Sequence, residues 1–392
     1  MVKEAEALAE VGHQVRVIST RSLELVDRRD DEILASASWS STRIDLRRGR
    51  MRRKLRSTWL AGLQRLAGPM EFAYAPAVTE LVGHARAHPA DLYIAHYVAA
   101  LPAVARAART HGGRFAYDAE DFHLGDPPED RGFDRERAAI RAIEGRYLDD
   151  CAYMTAASPG IADAYAQAYG VARPTVVLNV FPRSQGVAAP TPRGDAEPGP
   201  SIYWFSQTLG PDRGLECAVK AIALARSRPH LYLRGDPTPG YVDHLAALGR
   251  SVGVPERLHF LEPEPPSKMA ELASAYDLGL VAETGFTPNH RIALSNKQFT
   301  YLLAGVPALL SDTPGHCAIA EQAEGAAFLF RSEDAGSLAE QVDRLLGDPE
   351  ALAQARRRAF ELGRTRFNWE IEKATLLDCV SRALRSPGPA RP

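Results

Sequence analysis

Short apolar runs alternate with amphipathic segments along most of the chain, and this alternation predicts the fold. In the first half, buried strands are predicted at DLYIAHY (91–97), RFAYDAED (114–121), AYMTAAS (152–158) and TVVLNV (175–180). The segments between them have the apolar spacing of helices. Strands that alternate with helices are typical of parallel βαβ units, so the first half is expected to form a doubly wound α/β domain.

A second series of the same kind follows in the other half. Its strands are predicted at SIYWFSQ (201–207), HLYLRGD (230–236), LHFLE (258–262), LGLVAE (278–283) and AAFLF (326–330). Residues 182–200 are rich in Pro and Gly without a hydrophobic period, which indicates a linker. We predict two Rossmann-like domains that face each other across a cleft, with ligands at the carboxyl ends of their strands. The predicted bounds are 1–181, linker 182–200, 201–366, and a C-terminal helix with tail over 367–392.

The chain opens directly on a helical pattern. The first helix and the strand QVRVIST are predicted within MVKEAEALAEVGHQVRVIST, and no strand precedes them, although an α/β domain usually begins with one. We therefore expect that Met1 is not the true start and that the natural chain begins about two to three dozen residues earlier, the size of a strand and its loop.

Composition narrows the class of protein. A chain of 392 residues is too long for a single hydrophobic core of ordinary size, so two domains are expected. A content of 45% hydrophobic and 24% charged residues is typical of a soluble globular protein. The net charge of −2 predicts no affinity for nucleic acid. The cysteines form no CxxC pair, which argues against a zinc site or a disulfide framework and favours the cytoplasm. They are Cys151, Cys217, Cys317 and Cys379.

A dense basic run occupies residues 47–66, where apolar residues also recur at helical spacing. One interpretation is a patch that contacts an anionic acceptor or the inner face of a membrane peripherally. The other is a solvated helix that packs its apolar stripe on the core. Both stay open on the sequence alone.

The stretch SNKQFTYLLAGVPALLSD (295–312) reads as a polar helix start, a helix and a second buried strand. A helix N-terminus carries unpaired N–H groups and partial positive charge, so it can hold an anion. Lys297 in the first turn opposes the helix dipole unless an anionic ligand lies there. Ser295, Asn296 and Lys297 are therefore predicted to bind phosphate.

Other polar clusters follow predicted strands of the second half. Arg213, in a loop (206–214) that contains Gly210 and Gly214, suits a diphosphate, and Asp236 suits a base or ribose. The loop 283–297 holds more charged donors than a mere connector needs. Besides Ser295 and Asn296, the predicted donor-binding residues are Ser206, Gln207, Gly210, Gly214, Gly235, Asp236, Glu283, Asn289, His290, Arg291 and Thr300.

A further polar cluster follows two strands of the first half. His96 ends one strand and Asp118 ends the next, where they could orient an acceptor hydroxyl or line its binding site. A histidine in such a place is as often structural as catalytic. The spacing matches no metal-binding motif such as HExxH, so no metal is expected. The predicted acceptor-side residues are Tyr97, Asp118, Glu120, Asp121 and His123.

At this point the chain resembles the GT-B glycosyltransferases, in particular the retaining enzymes of glycosyltransferase family 4. SNKQFTYLLAGVPALLSD is similar to the NK-x-F-E-Y-L-A-A-G-x-P-V-V signature of that family, and FSQTLGPDRGLECAVKAI to its G-x-L-x-x-x-K-G loop, with Arg213 in place of lysine. KEAEALAEVGHQVRVI, YDAEDF and ASPGIADAYAQAYG resemble motifs of the first domain. The resemblance covers nearly the whole chain.

The resemblance implies transfer of a sugar from a nucleotide diphosphate sugar, UDP- or GDP-linked, to an acceptor with retention and without a metal or other cofactor. Arg213 and Lys297 would stabilise the leaving diphosphate, and His96 would contact the sugar or acceptor as a third catalytic residue. It also implies that the C-terminal helix packs on the first domain.

The chain departs from the family at the paired glutamates of the signature, because Thr300 and Ile292 occupy their positions. Glu283 is a possible partial substitute, and Glu120 stands where the family often has histidine. Two alternatives to transfer therefore stay open. One is a catalytically silent protein that binds a nucleotide sugar or a partner, and the other is an epimerase that acts on the donor alone.

Overall fold

The structure is a computed structural model that describes residues 1–21, 27–47, 55, 71–75, 77–189 and 199–385. Of the basic run 47–66, only residues 47 and 55 fall within this description, so both interpretations of that run stay predictions. None of the helices in the described part of the chain combines the length and apolar character that a membrane span requires.

The chain forms two compact units. The first unit contains Met1–Ala157, Ile161–Val177 and the chain from Lys373 onwards as far as it is described, and the second contains Ser158–Gly160 and Leu178–Glu372. The first unit is therefore discontinuous in sequence. The divisions at 177 and 372 lie close to the predicted domain ends at 181 and 366.

The first unit contains two parallel sheets. Strands β1 and β2 form a pair in register from Arg16↔Ser40 to Arg21↔Asp45, and a four-stranded sheet has the order β3-β4-β5-β6. The strands are β1 Arg16–Arg21, β2 Ser40–Asp45, β3 Leu92–Ala95, β4 Arg114–Ala119, β5 Met154–Ala156 and β6 Thr175–Val176. The helices are α1 Val2–Glu10, α2 Asp27–Ser36, α3 Glu71–Tyr74, α4 Val78–Arg86, α5 Leu101–His111, α6 Asp134–Tyr147 and α7 Pro159–Tyr169, the last of which belongs to this unit from Ile161 onwards.

The second unit contains one parallel sheet of six strands, as the alternating pattern predicted. The strands are β7 Ser201–Leu209, β8 His230–Pro237, β9 Leu258–Leu261, β10 Leu278–Val281, β11 Ala308–Ser311 and β12 Ala327–Phe330. The helices are α8 Leu215–Leu224, α9 Tyr241–Ser251, α10 Met269–Ser274, α11 Pro288–Ile292, α12 Asn296–Ala304, α13 Pro314–Gln322, α14 Ala335–Leu346 and α15 Pro349–Thr365. A last helix, α16 Trp369–Arg385, begins in the second unit and ends in the first.

The strand order of this sheet is β12-β11-β10-β7-β8-β9. The chain runs outward from β7 to β9 and then returns to place β10 on the other side of β7. In open α/β sheets, ligands bind outside the carboxyl ends of the strands at such a reversal. The segments that follow β7 and β10 are therefore neighbours at the place where this fold binds ligands.

The two faces of the six-stranded sheet pack differently. Trp204 and Leu280 belong to the apolar core that α8, α9 and α14 complete on one face. On the other face the ring of Tyr301 crosses β10 at Gly279, where an added Cβ would lie 2.3 Å from the ring. The Tyr301 hydroxyl donates to the carbonyl oxygens of Tyr203 (2.9 Å) and Leu280 (3.2 Å). These contacts fix α12, and with it Lys297, over β7 and β10.

Strands β7 and β8 extend past their predicted ends at residues 207 and 236. Ser206 and Gln207 lie within β7, and Gly235 and Asp236 lie within β8, because the pairing resumes at Thr208↔Asp236 after an irregularity of register. The observed strands are thus two residues and one residue longer than predicted, since polar residues after an apolar run resemble a loop. Asp236 is nevertheless exposed at the carboxyl end of its strand.

Candidate functional site

A tight turn joins β7 to α8. Gly214 precedes α8 with a φ of 65°, and an added Cβ would lie 2.2 Å from the carbonyl oxygen of Ala282, just after β10. Only glycine combines this left-handed conformation with so close an approach of two backbones. The turn therefore packs against the end of β10 and brings Arg213 near Glu283.

Glu283 and Lys297 form a buried ion pair. The distance from Lys297 Nζ to Glu283 Oε1 is 2.8 Å, and the side chains are 8% (Lys297) and 14% (Glu283) exposed. Burial alone would raise the pKa of Glu283, but Lys297 and then Arg213 outweigh it and lower that pKa to about 2. The Glu283 carboxylate is therefore charged throughout the physiological pH range.

Lys297 has two further contacts at the start of α12. Its Nζ donates to Ser295 Oγ at 3.2 Å and lies 5.4 Å from the centre of the Trp204 ring. Ser295 precedes the helix without capping it through its side chain. The first turn of α12 therefore places a lysine ammonium beside backbone N–H groups. Ser295 Oγ accepts no hydrogen bond from these groups.

Arg213 is half-buried and adds a second positive charge at this place. Its charge contributes to the lowered pKa of Glu283. The Arg213 guanidinium makes no hydrogen bond or ion pair with any residue that the structure describes. Its five N–H donors are thus available for an anion.

His316 belongs to the same group, although it was not predicted. It is 1% exposed, its Nδ1 lies 2.9 Å from the carbonyl oxygen of Ser311, and Ser311 Oγ donates to the carbonyl oxygen of Glu283 at 2.7 Å. Burial lowers the pKa of His316, against the effect of the Glu283 carboxylate. The rule that found the other clusters, polar residues after a buried strand, also fits His316 after β11.

Several predicted donor-binding residues of the loop 283–297 have structural contacts. The Thr287 side chain caps α11 and contacts His290 Nδ1 at 2.7 Å, while Arg291 Nε donates to the carbonyl oxygen of Gly285 at 3.1 Å. Asn289 is buried and Asn296 is exposed. The loop thus contains the short helix α11, which the sequence analysis did not predict.

Thr300 and Gly210 complete the predicted donor-binding residues. Thr300 is 3% exposed, and its hydroxyl donates to the carbonyl oxygen of Asn296 at 3.2 Å within α12. Gly210 is buried directly after β7, and an added Cβ there would lie 3.1 Å from Thr238. Thr300 thus supplies no carboxylate and directs its hydroxyl to its own helix.

A second group of ionisable side chains lies in the first unit. His96 follows β3, and its Nδ1 is 3.1 Å from Asp118 Oδ2 at the end of β4 and 3.7 Å from Glu120 Oε1. Its Nε2 is 3.3 Å from Glu4 Oε2 on α1. Burial alone would lower the pKa of His96, but Asp118, Glu120 and Glu4 raise it to about 10. Glu4 was missed because it lies in an ordinary amphipathic helix pattern.

The other acceptor-side candidates lie beside an aromatic group. Tyr97 is 50% exposed and meets the ring of His123 edge-on at 4.8 Å between centroids. His123 is buried, with its Nδ1 2.9 Å from Asp126 Oδ2. The carbonyl oxygen of Asp121 accepts a hydrogen bond from Tyr165 at 3.3 Å. Within the described part of the chain, neither His123 nor Asp121 forms a hydrogen bond or ion pair with His96.

Two family models match the chain. The glycosyl transferase 4-like domain matches residues 2–180, and the glycosyl transferases group 1 model matches residues 199–348. A D-inositol 3-phosphate glycosyltransferase of Nocardia farcinica is 29% identical over 196 residues, 48% of this chain and 42% of that protein. One of Corynebacterium glutamicum is 28% identical over 194 residues, 47% and 44% respectively. The matched segments span less than half the length of these relatives.

Solved structures share the fold. Anabaena HepE in complex with UDP and glucose superposes with a TM-score of 0.69 at 18% identity over 94% of this chain and 100% of that chain. Sucrose-phosphate synthase of Thermosynechococcus elongatus gives 0.71 at 15% identity, over 97% and 91%. The predicted GT-B fold is confirmed. With both family models matched on its two parallel-sheet units, the chain belongs to the GT-B glycosyltransferases of the family 4-like type.

Proposed function

We propose that this protein transfers a sugar from a nucleoside diphosphate sugar to an acceptor hydroxyl, with retention of the anomeric configuration. The observation that carries the proposal is the paired Lys297, with Arg213 beside it, at the reversal of strand order in the second unit. HepE, which has this fold, was solved with UDP and with UDP-glucose, so a UDP-sugar is the first donor to test.

The chemistry follows from the charges. As the glycosidic bond breaks, the leaving diphosphate gains negative charge, and preorganised cations with a helix N-terminus stabilise it. The Lys297 ammonium has three N–H donors, of which Glu283 and Ser295 take two, so one is left for a phosphate oxygen. The guanidinium of Arg213 would supply the second cation, without a metal bridging the phosphates.

Nucleotide binding tests this proposal. We would measure thermal stability with UDP, GDP, ADP and dTDP for the wild type, the double variant Arg213→Ala, Lys297→Ala, and the control Lys220→Ala, an exposed lysine of α8. A nucleotide at ~100 times its dissociation constant should stabilise the wild type and the control by about 2.7 kcal/mol. UDP should do so and should lose its effect in the double variant. If none of the four nucleotides stabilises the wild type, the proposal fails.

One observation favours the silent-binder alternative. Thr300 takes the place of a signature glutamate, and its buried hydroxyl is bonded to the carbonyl oxygen of Asn296. Incubation with a UDP-sugar, with and without candidate acceptors, separates the three functions. An acceptor-dependent glycoside with the anomeric configuration of the donor, seen by NMR, supports transfer. A changed donor without acceptor indicates epimerisation, and binding without any product indicates a silent protein.

A further inference from the structure

We propose that His316 makes the second unit specific for its nucleotide sugar, because its ring nitrogen Nε2 accepts a hydrogen bond from a hydroxyl group of that ligand. This inference rests on the proposed function, since it concerns the ligand whose diphosphate would bind at Lys297 and Arg213. The hydroxyl group belongs either to the ribose or to the transferred sugar, and binding measurements distinguish the two sources.

Buried polar atoms without a hydrogen-bond partner are concentrated around Lys297. Within the described part of the second unit, such atoms are Trp204 Nε1, both amide atoms of Gln298, His316 Nε2 and Gln341 Oε1. The centre of the Trp204 ring lies 5.4 Å from Lys297 Nζ, and Gln298 is the next residue of α12. The charge of Lys297 also helps to lower the pKa of His316. Because each unpartnered buried group costs free energy, three of them around one ammonium group indicate that a ligand supplies the partners.

The contacts of the other ring nitrogen place the hydrogen of His316 on Nδ1. This atom lies 2.9 Å from the carbonyl oxygen of Ser311, which can only accept a hydrogen bond, so Nδ1 is the donor. The Ser311 hydroxyl donates to the carbonyl oxygen of Glu283 at 2.7 Å and has no second hydrogen for Nδ1. Burial lowers the pKa of His316, so the ring is neutral at pH 7. Nε2 is therefore an acceptor that carries no hydrogen.

An acceptor of this kind selects the chemistry of its partner. Phosphate oxygens are acceptors too, so Nε2 does not bind the diphosphate, which is the ligand of Lys297 and Arg213. The other parts of a nucleoside diphosphate sugar offer hydroxyl groups and the N–H groups of the base. The hydroxyl groups of ribose and sugar are within a few bonds of the diphosphate, whereas the base N–H groups are remote from it. Because His316 interacts electrostatically with Lys297, a hydroxyl group is the partner that fits.

The loop 283–297 packs on the first turn of α13, which carries His316. An added Cβ at Gly315 would lie 2.8 Å from the carbonyl oxygen of Ala293, and one at Gly285 would lie 3.5 Å from the side chain of Thr313. His316 is 1% exposed beneath this packing. A ligand hydroxyl therefore reaches Nε2 only when the loop shifts from α13.

Calorimetric titration of the full chain tests the inference. The ligands are UDP with its 2′-deoxy and 3′-deoxy analogues, and UDP-glucose with the analogues that each lack one glucose hydroxyl. We compare the dissociation constant of each analogue with that of its parent in the wild type, in His316→Phe and in the control His13→Phe, an exposed histidine of the first unit. Each protein is thus its own reference, and a general effect of the substitution cancels.

For one analogue, the ratio of dissociation constants should be about 10 in the wild type and in the control, because the missing hydroxyl leaves Nε2 without a partner. In His316→Phe that ratio should fall to about 1, since no acceptor is left to lose its partner. The ratios of the other analogues should stay unchanged. An affected deoxyribose identifies the ribose as the source of the hydroxyl group, and an affected deoxyglucose identifies the sugar.

Failure of this inference is distinguishable from failure of the proposed function. If UDP and UDP-glucose bind the wild type but no ratio changes in His316→Phe, the histidine is structural, and only the inference is overturned. If neither ligand binds the wild type, the proposed function fails and the inference fails with it.

Nitrogen-15 NMR of the histidine side chains provides a second measurement on the wild type, which does not depend on the folding of a variant. Nε2 of His316 should carry no hydrogen, and its resonance should move when UDP or UDP-glucose binds. It should move less with the analogue that lacks the partner hydroxyl. A hydrogen on Nε2, or an equal movement with every analogue, would overturn the inference.

Discussion

The positive charge of the Lys297 ammonium group is balanced within the protein by the Glu283 carboxylate, without any ligand. Glu283 and Ser295 hold it, and the face of Trp204 lies beneath it. Taking both charges out of water costs several kcal/mol, which their mutual attraction largely returns. Removal of one partner leaves the other as an uncompensated buried charge. The pair is therefore a sensitive point for stability as well as for anion binding.

Lys297→Met should lower the free energy of unfolding by about 3–5 kcal/mol at pH 8. In the wild type the pKa of Glu283 is lowered to about 2, so its stabilising contribution is complete above its ordinary pKa and is lost only as the pH falls toward 2. In the variant, burial without Lys297 should raise that pKa above its ordinary value. The destabilisation should thus be smaller at pH 5 than at pH 8, as urea denaturation at both pH values would measure.

The matched control is Lys220→Met, which should change stability by less than about 0.5 kcal/mol because this lysine is exposed. Adding Glu283→Gln to Lys297→Met should restore part of the lost stability, since the buried charge is then gone. An equal loss for Lys297→Met at pH 5 and pH 8 would contradict the argument.

Individual candidate residues could be named from the sequence where they follow a single predicted strand. Arg213, Glu283 and Lys297 follow this rule, but their mutual arrangement does not, because it depends on which strands are neighbours. Glu4 is the clearest miss. It lies 92 residues before His96 in a helix whose pattern shows nothing unusual, and only the packing of α1 brings the two together.

At the scale of the element, the turn before α8 is set by one glycine. Gly214 and Gly240 both precede helices in the left-handed conformation, with φ of 65° and 78°. They differ in their surroundings, because an added Cβ would lie 2.2 Å from Ala282 O at Gly214 and would contact nothing within 4 Å at Gly240. The comparison separates backbone strain from steric conflict.

Gly240→Ala should destabilise the protein by about 1–2 kcal/mol, the cost of a side chain in the left-handed conformation. Gly214→Ala should cost about 1–3 kcal/mol more, since the turn must also move away from the end of β10. That movement displaces Arg213, so Gly214→Ala should weaken UDP binding and Gly240→Ala should not. Urea denaturation and UDP titration would measure both effects, and similar behaviour of the two variants would be inconsistent with the packing of the turn.

Elements were predicted well where the hydrophobic pattern was strong. The apolar strands of both series are present, and β7 and β8 run further than predicted because parallel pairing continues through polar residues. The strand β2 was missed because Ser40, Ser41 and Thr42 form no apolar run, and only Ile44 of that strand is buried. Pairing with β1 makes it a strand, which is information the local sequence lacks.

At the scale of the whole molecule, each unit has its own group of charged side chains. If the proposed function holds, hydrogen exchange should place the nucleotide on the group of the second unit. UDP should slow exchange at 206–214 and 283–297 more than at any other described segment. The variant Arg213→Ala, Lys297→Ala should lose this effect, and the control Lys220→Ala should keep it. Slowing by UDP at 2–10 in place of 206–214 and 283–297 would contradict the assignment.

Because the first unit is discontinuous in sequence, it cannot complete its folding early in translation. Its last piece is the end of α16, where Lys373 pairs with Glu10 at 2.8 Å and Arg114 donates to the carbonyl oxygen of Ala383. These partners on α1 and β4 are synthesised more than 200 residues earlier. Domains generally fold as units during synthesis, N-terminal first. Here folding of the first unit cannot be completed until the entire second unit has been translated. Until then, the surfaces of α1 and β4 that contact α16 stay exposed.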